Sequence, residues 1–380
     1  MNATVKSIRI LPLAYPEPHD HNRTRFIALA RIETSDGMVG WGEAITMFPE
    51  ASRAVKVVAE QGLAPLLTGE PVLEVERLWD KMVGHLWWYG PQGIAAMAVS
   101  ALDTALWDLK GQVLGQPVCR LIGARKVDRI RVMACIHLNM DDLDWSFREF
   151  TQFRDEGYRL VKGGWGKRPG LVFGENRERD MALARGIREI MGEDRDFVLD
   201  VLAARTGWDL PTATRRIREL EPLRPLWIEE PLAPQDYAAH AALRRAVATP
   251  IGTGEQEWNP DGYQRLIDAG AADVVQVDPG RCLGLTGCLK VIRVIEARRL
   301  KFSCHTWSSA VNTAVGVHLL GAFPCGVAMD FKPHPSPMQS ELISDPWLQR
   351  DGLLEVKEKP GLGISVREEI VEKYLEKQVL

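Results

Sequence analysis

The feature that most limits the fold is a regular alternation in the last two thirds of the chain. After residue 125, short apolar or β-branched runs alternate with amphipathic, arginine-rich stretches. Eight runs have the length of strands: 130–136, 158–161, 197–199, 226–228, 250–252, 273–277, 301–303 and 326–329. Eight strands separated by helices predict a parallel barrel with an outer ring of helices. Such a barrel takes about 250 residues, which matches the length that follows residue 125.

The first 125 residues have a different texture and predict a separate domain. The predicted elements are a strand at 5–11 before a proline-rich loop, a strand at 25–34, a turn at 35–37, a return strand ending at 40–44, and a buried helix at 95–110. Glycine-containing turns at 115–117 and 123–125 then break the chain, so we place a domain boundary near residue 125. A charged helix at 367–378 falls outside the barrel and is expected to pack back on the first domain.

The residues that follow the predicted barrel strands carry most of the functional information. In parallel barrels, catalytic groups lie just after the carboxyl ends of the strands. From the second strand to the eighth, these positions are Lys162, Asp200, Glu229, Glu255, Asp278, His305 and Asp330. Seven ionisable groups would therefore converge on one small mouth, where burial without partners is costly. This pattern predicts a functional site rather than surface decoration.

Three of these residues predict a metal site. Asp200, Glu229 and Glu255 follow adjacent strands, and their carboxylates would repel one another unless a cation lay between them. The chain has no Cys-x-x-Cys pair and no His-x-x-x-His pair. Hard oxygen ligands from successive strands therefore favour Mg²⁺ over zinc.

Asp278 and His305 predict a general base. A carboxylate bonded to one imidazole nitrogen fixes the tautomer and raises the basicity of the other nitrogen. Removing a proton next to a carboxylate places negative charge on two oxygens, and Mg²⁺ with Lys162 would supply positive charge there. Asp330 could act on the second oxygen if it were protonated. The alternatives are a structural ion pair for the dyad and a capping role for Asp330.

The composition is that of an ordinary globular protein. Apolar residues make up 46% and charged residues 26%, the net charge is −4 and the pI is about 6.1. These values give no electrostatic case for nucleic acid or an anionic membrane as a partner. We find no signal peptide and no apolar run long enough to span a bilayer. The six scattered cysteines indicate reduced thiols, and we expect a cytoplasmic protein.

Several motifs together give the chain a clear family resemblance. They are Gly-Trp-Gly-Glu-Ala at 40–44, Ala-Leu-Asp-Thr-Ala-Leu-Trp-Asp at 101–108, Val-Lys-Gly-Gly-Trp-Gly at 161–166, Leu-Asp at 199–200, Trp-Ile-Glu-Glu-Pro-Leu at 227–232, Thr-Gly-Glu-Gln-Glu-Trp at 253–258, Asp-Val-Val-Gln-Val-Asp at 273–278 and Ser-Cys-His-Thr-Trp at 303–307. In these motifs the chain resembles the mandelate racemase subgroup of the enolase superfamily over essentially its whole length.

The resemblance implies both a fold and an activity. The fold would be a (β/α)7β modified TIM barrel over 126–351, capped by an α+β domain of residues 1–125 that 352–380 completes. The family pattern selects Glu229 over Glu230 and Glu255 over Glu257 as ligands. In this superfamily a Lys or His base acts with Mg²⁺ on an ene-diolate, and we take that pairing from precedent. Most members of this appearance dehydrate sugar acids, and homo-oligomers are usual.

One departure from the family pattern favours elimination. Relatives often carry Lys-x-Lys on the second barrel strand, whereas this chain has Lys162-Gly163-Gly164. Without the second lysine, His305 is the one obvious base. Interconverting mirror-image substrates normally needs a base on each face, so a racemase is disfavoured. A dehydratase needs one base and one acid, and His305 can serve as both.

Four further residues are candidates for substrate binding. His137 ends the first barrel strand, and His21 lies in a polar loop where the family places a specificity loop. Trp165 and Trp307 lie three and two positions after Lys162 and His305. Core packing is about as plausible as a role in the pocket wall for the two tryptophans.

We therefore predict a lyase that uses Mg²⁺ to dehydrate a sugar acid, an aldonate or aldarate, to a 2-keto-3-deoxy acid. An isomerase, either a racemase/epimerase or a cycloisomerase, would use the same enolate chemistry. A barrel kept for binding without turnover is a third possibility, against which the complete set of site residues argues.

Overall fold

The computed structural model of the 380-residue chain describes residues 3–20, 22–123, 127–166, 172–202 and 207–376. For residues 165 and 166 it describes the backbone only. The boundary predicted near residue 125, His21 and the side chain of Trp165 therefore lie outside the described residues.

An antiparallel sheet opens the chain, with strands in the order β1-β2-β3. The strands are β1 (Val5–Glu17), β2 (Arg23–Thr34) and β3 (Val39–Met47). The prediction that the first strand ends at residue 11 is wrong, because β1 continues through Pro12 and Pro16 and stays paired with β2. Proline lacks a backbone donor but is tolerated on an edge strand, and β1 lies at the edge of its sheet.

Helices cover this sheet, and one of them is almost completely buried. They are α1 (Pro49–Val57), a π-helical segment (Val58–Leu63), α2 (Ala64–Leu67), α3 (Val75–His85), α4 (Gly93–Leu114) and α5 (Val118–Ile122). The buried helix predicted at 95–110 lies within α4. A Cβ built at Gly42 of β3 would overlap the carbonyl oxygen of Ala101, so α4 and β3 meet closely at this glycine.

Eight parallel strands close into a barrel, which confirms the predicted fold class. They are β4 (Arg129–Leu138), β5 (Leu160–Gly166), β6 (Asp196–Asp200), β7 (Trp227–Glu229), β8 (Ile251–Thr253), β9 (Val274–Val277), β10 (Lys301–Cys304) and β11 (Gly326–Phe331). Each strand pairs with the next, and β11 returns to β4, with Met329 opposite Val132. Catalytic groups at the carboxyl ends of such strands share one face of the molecule.

The described helices of the barrel region follow the strands in turn. They are α6 (Leu143–Asp155), α7 (Arg177–Met191), α8 (Leu210–Leu220), a 3₁₀ turn (Glu221–Leu223), α9 (Tyr237–Ala246), α10 (Pro260–Asp268), α11 (Gly284–Ala297), α12 (Ala310–Ala322) and α13 (Pro337–Ser340). Asp142, Asn176 and Asp209 cap α6, α7 and α8 by accepting a backbone hydrogen bond from the first turn. Among the described helices, none is both long and apolar enough to span a membrane.

Three buried carboxylates join the N-terminal elements to distant parts of the chain. Glu43, Asp103 and Asp108 belong to the motifs at 40–44 and 101–108. Glu43 accepts hydrogen bonds from the Ser308 and Ser309 hydroxyls, Asp103 from Thr286 N (2.8 Å) and Oγ1 (2.7 Å), and Asp108 from Trp41 N (3.0 Å) and Leu362 N (2.8 Å). Burial alone would disfavour these charges, so each bond offsets part of that cost. Glu43 and Asp103 therefore hold the N-terminal elements on the barrel, and Asp108 joins α4 to the first sheet and to the C-terminal tail.

The C-terminal tail contacts both the barrel and the first sheet. Strand β12 (Leu353–Glu355) pairs antiparallel with β4, and helix α14 (Glu368–Tyr374) follows. The helix predicted at 367–378 ends at residue 374, because the next residues pair with β1 instead: Leu375 bridges Leu13, and Glu376 N donates to Pro12 O at 2.9 Å. The division into residues 1–125, 126–351 and 352–380 stays a prediction.

Candidate active site

The barrel brings the seven predicted strand-end residues to one edge. Asp200 and Glu229 are the last residues of β6 and β7, Glu255 lies two residues after β8, Asp278 and His305 directly follow β9 and β10, and Asp330 lies one residue before the end of β11. The prediction that Lys162 follows a strand is wrong, because β5 continues to Gly166 beside β4. Lys162 is the third residue of β5, and its side chain still joins the others.

Lys162 is the cation at the centre of this group. Its Nζ lies 2.6 Å from Glu229 Oε1 and 3.1 and 3.2 Å from the two carboxylate oxygens of Asp330. Burial lowers the pKa of Lys162, but Asp330 and Glu229 outweigh burial and raise it well above its usual value. The lysine is therefore held protonated, which suits it to stabilise negative charge rather than to accept a proton.

The negative charges of Asp200, Glu229 and Glu255 are only partly neutralised by nearby cations. Burial and then the charge of Glu229 raise the pKa of Asp200, and burial raises that of Glu255 to about 6. The pKa of Glu229 is lowered instead, because Lys162 outweighs burial. Glu255 Oε2 is buried and has no hydrogen-bond partner among the described residues. These oxygens fit a hard divalent cation, which would relieve both the repulsion and the unpaired oxygen.

The described carboxylates do not have the arrangement of a complete metal-coordination sphere. No group of three or more His, Cys, Asp or Glu side chains in the described ranges is arranged to hold a metal ion. Glu229 is bonded to Lys162 and to Trp227 Nε1, the latter at 3.0 Å. Glu230 has a left-handed backbone (φ 43°) and accepts a hydrogen bond from Gln256 Nε2 at 2.6 Å. Burial and then Glu255 raise the pKa of Glu230 to about 8.

His305 and Asp278 form the predicted pair. His305 Nδ1 lies 2.7 Å from Asp278 Oδ2, and Asp278 Oδ1 accepts a hydrogen bond from Gly280 N at 2.8 Å. The other ring nitrogen, Nε2, lies 3.8 Å from Glu255 Oε1 and 3.9 Å from Asp330 Oδ2. Burial lowers the pKa of His305, but the surrounding carboxylates, Glu255 first, raise it to about 10. In the neutral ring, the bond to Asp278 would keep the proton on Nδ1 and leave Nε2 free to act as a base.

Position 164, where relatives often carry a second lysine, has no room for a side chain. A Cβ built on Gly164 would overlap the backbone carbonyl oxygen of Asp200 and lie 2.7 Å from its Cβ. A lysine would therefore require β5 and β6 to move apart. The absence of a second base in the sequence thus coincides with close packing of the strands.

These residues line a cavity of about 440 Å³. The barrel contributes Cys135, His137, Lys162, Asp200, Glu255, His305, Trp307 and Asp330, and the N-terminal elements contribute Arg25, residues 45–48, Ala51 and Met97. Glu229 and Asp278 are fully buried and support the cavity from behind. A charged floor under a mostly apolar roof is typical of an enzyme site for a small polar substrate.

Trp307 forms one wall of this cavity. Its ring stacks on His137 with centroids 4.8 Å apart, and the Arg25 guanidinium lies 4.8 Å from the ring centroid. Burial lowers the pKa of His137 to about 4, so this imidazole is neutral near pH 7. The structure thus brings His137 and Trp307 together at the cavity. Sequence analysis missed Arg25, whose only signal was a charged residue at the start of an apolar strand.

A buried ion pair next to Trp307 was also missed by sequence analysis. Lys332 directly follows β11, and its Nζ lies 2.5 Å from Glu17 Oε2 at the end of β1 and 4.7 Å from the Trp307 ring centroid. Both charged side chains are buried, and His19 Nδ1 also contacts Glu17, at 2.8 Å. Burial raises the pKa of Glu17, but Lys332 and His19 outweigh it and lower the pKa. The pair ties the first strand of the chain to the last strand of the barrel.

We expect Lys332→Met to lower the free energy of unfolding by about 3–5 kcal/mol, because it leaves a buried carboxylate without its cation. Urea denaturation measures this loss. The double variant Glu17→Gln/Lys332→Met removes both charges and should recover at least half of it. A loss below about 1 kcal/mol for the single variant would contradict a stabilising role for the pair.

Two family models match the chain. The N-terminal domain model of mandelate racemase / muconate lactonizing enzyme matches residues 18–123, and the enolase C-terminal domain-like model matches residues 146–370. The second match alone covers more than half of the chain. The chain belongs to the mandelate racemase-like part of the enolase superfamily. The family that its motifs resembled is therefore confirmed.

Curated relatives of this superfamily member include two kinds of enzyme. D-galactarolactone cycloisomerase from Agrobacterium fabrum is 26% identical and aligns over 91% of this chain and 90% of its own. D-galactonate dehydratase from Xanthomonas oryzae pv. oryzae is 27% identical, over 93% and 92%. Several other relatives are also named dehydratases, which supports the prediction of a hydro-lyase.

Solved structures of the superfamily share the whole fold. The 3,6-anhydro-D-galactonate cycloisomerase from Zobellia galactanivorans is 27% identical, with a TM-score of 0.88 over 98% of this chain and all of its own. A racemase from Streptomyces coelicolor A3(2), whose crystal structure contains bound magnesium, is 24% identical, with a TM-score of 0.86 over 98% and 100%. The second likeness supports the fold alone.

Proposed function

We propose that this protein is a Mg²⁺-dependent hydro-lyase that converts a sugar acid, an aldonate or aldarate, to a 2-keto-3-deoxy acid. Asp200, Glu229 and Glu255 would hold the metal. When bound, Mg²⁺ would draw charge from the substrate carboxylate and offset the negative charge that keeps a proton on His305. Release of Glu229 from its bond to Lys162 would make its oxygen available.

His305 would carry the proton from one carbon to the leaving oxygen. Neutral His305 takes the proton from C2 at Nε2, while Asp278 holds the Nδ1 proton and stabilises the imidazolium that forms. The imidazolium then gives the same proton to the hydroxyl leaving C3, which departs as water. The enol that remains takes up a proton at C3, loses the proton of its C2 hydroxyl and becomes the 2-keto-3-deoxy acid.

The remaining residues would support this transfer. Lys162, held protonated by its carboxylate neighbours, stabilises the negative charge of the enolate. Asp330 orients Lys162 and faces the same part of the cavity as His305. His137 and Trp307 would form the wall against the sugar chain, and substrate roles for His21 and Trp165 stay predictions. A homo-oligomeric state and a cytoplasmic location also stay predictions.

One observation carries the choice of elimination. Among the described residues, His305 is the one base that a carboxylate orients within the charged part of the cavity, and close packing at Gly164 leaves no room for a side chain where relatives often carry a second lysine. Racemisation needs proton transfer on both faces, whereas dehydration needs one group that acts first as base and then as acid.

Cycloisomerisation is the second candidate. It would begin with the same proton transfer to His305, but the leaving oxygen would belong to a ring of the substrate rather than to a free hydroxyl. Two similar enzymes, those from Agrobacterium fabrum and Zobellia galactanivorans, carry this name. A single base is compatible with this reaction as well.

A panel of aldonates, aldarates and their lactones or anhydro forms, supplied with Mg²⁺, tests the proposal. Dehydration produces a 2-keto acid, which reacts with semicarbazide and absorbs in the ultraviolet. Turnover of an open-chain sugar acid that disappears with EDTA and returns with Mg²⁺ is the expected result. Turnover of cyclic substrates alone would favour a cycloisomerase, and no turnover across the panel would favour a binding protein.

We expect His305→Asn to slow exchange of the C2 proton with D₂O by at least about 100-fold, since the group that accepts this proton is gone. ¹H NMR of the substrate measures the exchange, with circular dichroism as the check on folding. Lys162→Met is the matched variant and should leave detectable exchange, because Lys162 is held protonated. Persistent exchange in His305→Asn would identify Lys162 as an independent base.

We expect Glu229→Gln to weaken Mg²⁺ binding at least tenfold, about 1.4 kcal/mol, because Glu229 lies directly opposite Asp200 in the strand register. Glu230→Gln should weaken it less, since Glu230 is bonded to Gln256. Isothermal titration with Mg²⁺ compares the two variants. The reverse order would show that Glu230 is the ligand.

A further inference from the structure

Among the residues that the structure describes, three strong cations line the cavity, and two of them have acidic partners in the protein. Lys162 is bonded to Glu229 and Asp330, and Arg25 forms an ion pair with Asp20, with 3.2 Å between Arg25 Nη2 and Asp20 Oδ2. Both are already paired, and Lys162 also has its proposed role toward the enolate, so neither is available for a second anionic group of a ligand. The third cation, Arg281, differs from both.

Arg281 has no acidic partner of its own. It lies three residues after Asp278, and its guanidinium stacks over Trp258, 3.9 Å from the ring centroid. Among the described residues, Arg281 forms no ion pair, and its Nε is buried without a hydrogen-bond partner. Burial raises the pKa of Glu257, and the charge of Arg281 opposes that effect. The Glu257 carboxylate, however, accepts its hydrogen bond from the Tyr237 hydroxyl, at 2.6 Å.

An arginine in this state is prepared to bind an anion. The guanidinium stays charged at any physiological pH and presents donors that match a carboxylate in a planar, two-point geometry. Stacking on an indole holds its plane and reduces the entropy lost on binding. A buried donor without a partner is costly. An anionic group of a ligand would therefore supply the hydrogen-bond acceptor that the guanidinium lacks.

We propose that Arg281 binds a second carboxylate at the far end of the substrate, so that the preferred substrates are aldarates rather than aldonates. The inference rests on the proposed function, which places the first carboxylate among Asp200, Glu229 and Glu255. Arg281 does not belong to that group, but it lines the same cavity. A cavity of about 440 Å³ has room for a six-carbon chain with an acid at each end.

Matched substrate pairs test this inference. Galactarate and galactonate, or glucarate and gluconate, differ only in whether C6 is a carboxylate. We expect kcat/KM to be at least about tenfold higher for the diacid of an accepted pair, the effect of one charge-assisted hydrogen-bonded pair. The variant Arg281→Met keeps an apolar stem over Trp258, and it should reduce this ratio about tenfold through KM, while Arg281→Lys should restore part of it.

Binding of inert analogues separates this inference from the proposed function. Adipate and hexanoate have six carbons each and lack the hydroxyls needed for dehydration. In the presence of Mg²⁺, isothermal titration of the wild-type protein should give at least about tenfold tighter binding of adipate. Equal binding of the two acids, or an equal preference in Arg281→Met, would overturn the role of Arg281 even if aldonates are dehydrated. Tighter binding of 6-phosphogluconate than of glucarate would also overturn it, because the distal anion would then be a phosphate.

Discussion

The crowding of buried carboxylates at the carboxyl edge of the barrel is the constraint on which the rest of this structure depends. Asp200 and Glu229 lie side by side in the strand register, and Glu255 follows on the next strand. Lys162 neutralises part of this charge through Glu229 and Asp330. Burial first, and then the remaining negative charge, raise the pKa of Asp200 and Glu255, and a divalent cation would fit between them.

Around this charged centre the site is asymmetric. On one face, Asp278 orients His305, whose free nitrogen lies near Glu255 and Asp330. Gly164, in contrast, packs so closely against the backbone of Asp200 that a side chain cannot fit there. The same close packing that forms the β5–β6 pair thus excludes a side chain at this position, and the proposal of elimination rests on that exclusion.

The sequence predicted the parts that depend on local periodicity. The alternation of strands and helices predicted the barrel, and strand ends located His305 next to Asp278. It did not reveal that Lys332 pairs with Glu17, because the two are 315 residues apart. It also did not reveal that Arg281 lacks an acidic partner among the described residues, because a missing partner has no local signal. The prediction ended β1 too early because prolines usually interrupt strands. Prolines are tolerated at the edge of a sheet, and the position of a strand within its sheet cannot be read from the local sequence.

The most direct test of single-base elimination is whether the substrate changes configuration at C2 during turnover in D₂O. One accepted open-chain sugar acid would be incubated with the protein and Mg²⁺, and NMR would follow both substrate and product. The account predicts a 2-keto-3-deoxy acid with deuterium at C3, while the remaining substrate keeps its original configuration at C2. Accumulation of the C2 epimer would contradict it, because protonation from the opposite face would require a base that the closed position at Gly164 does not allow.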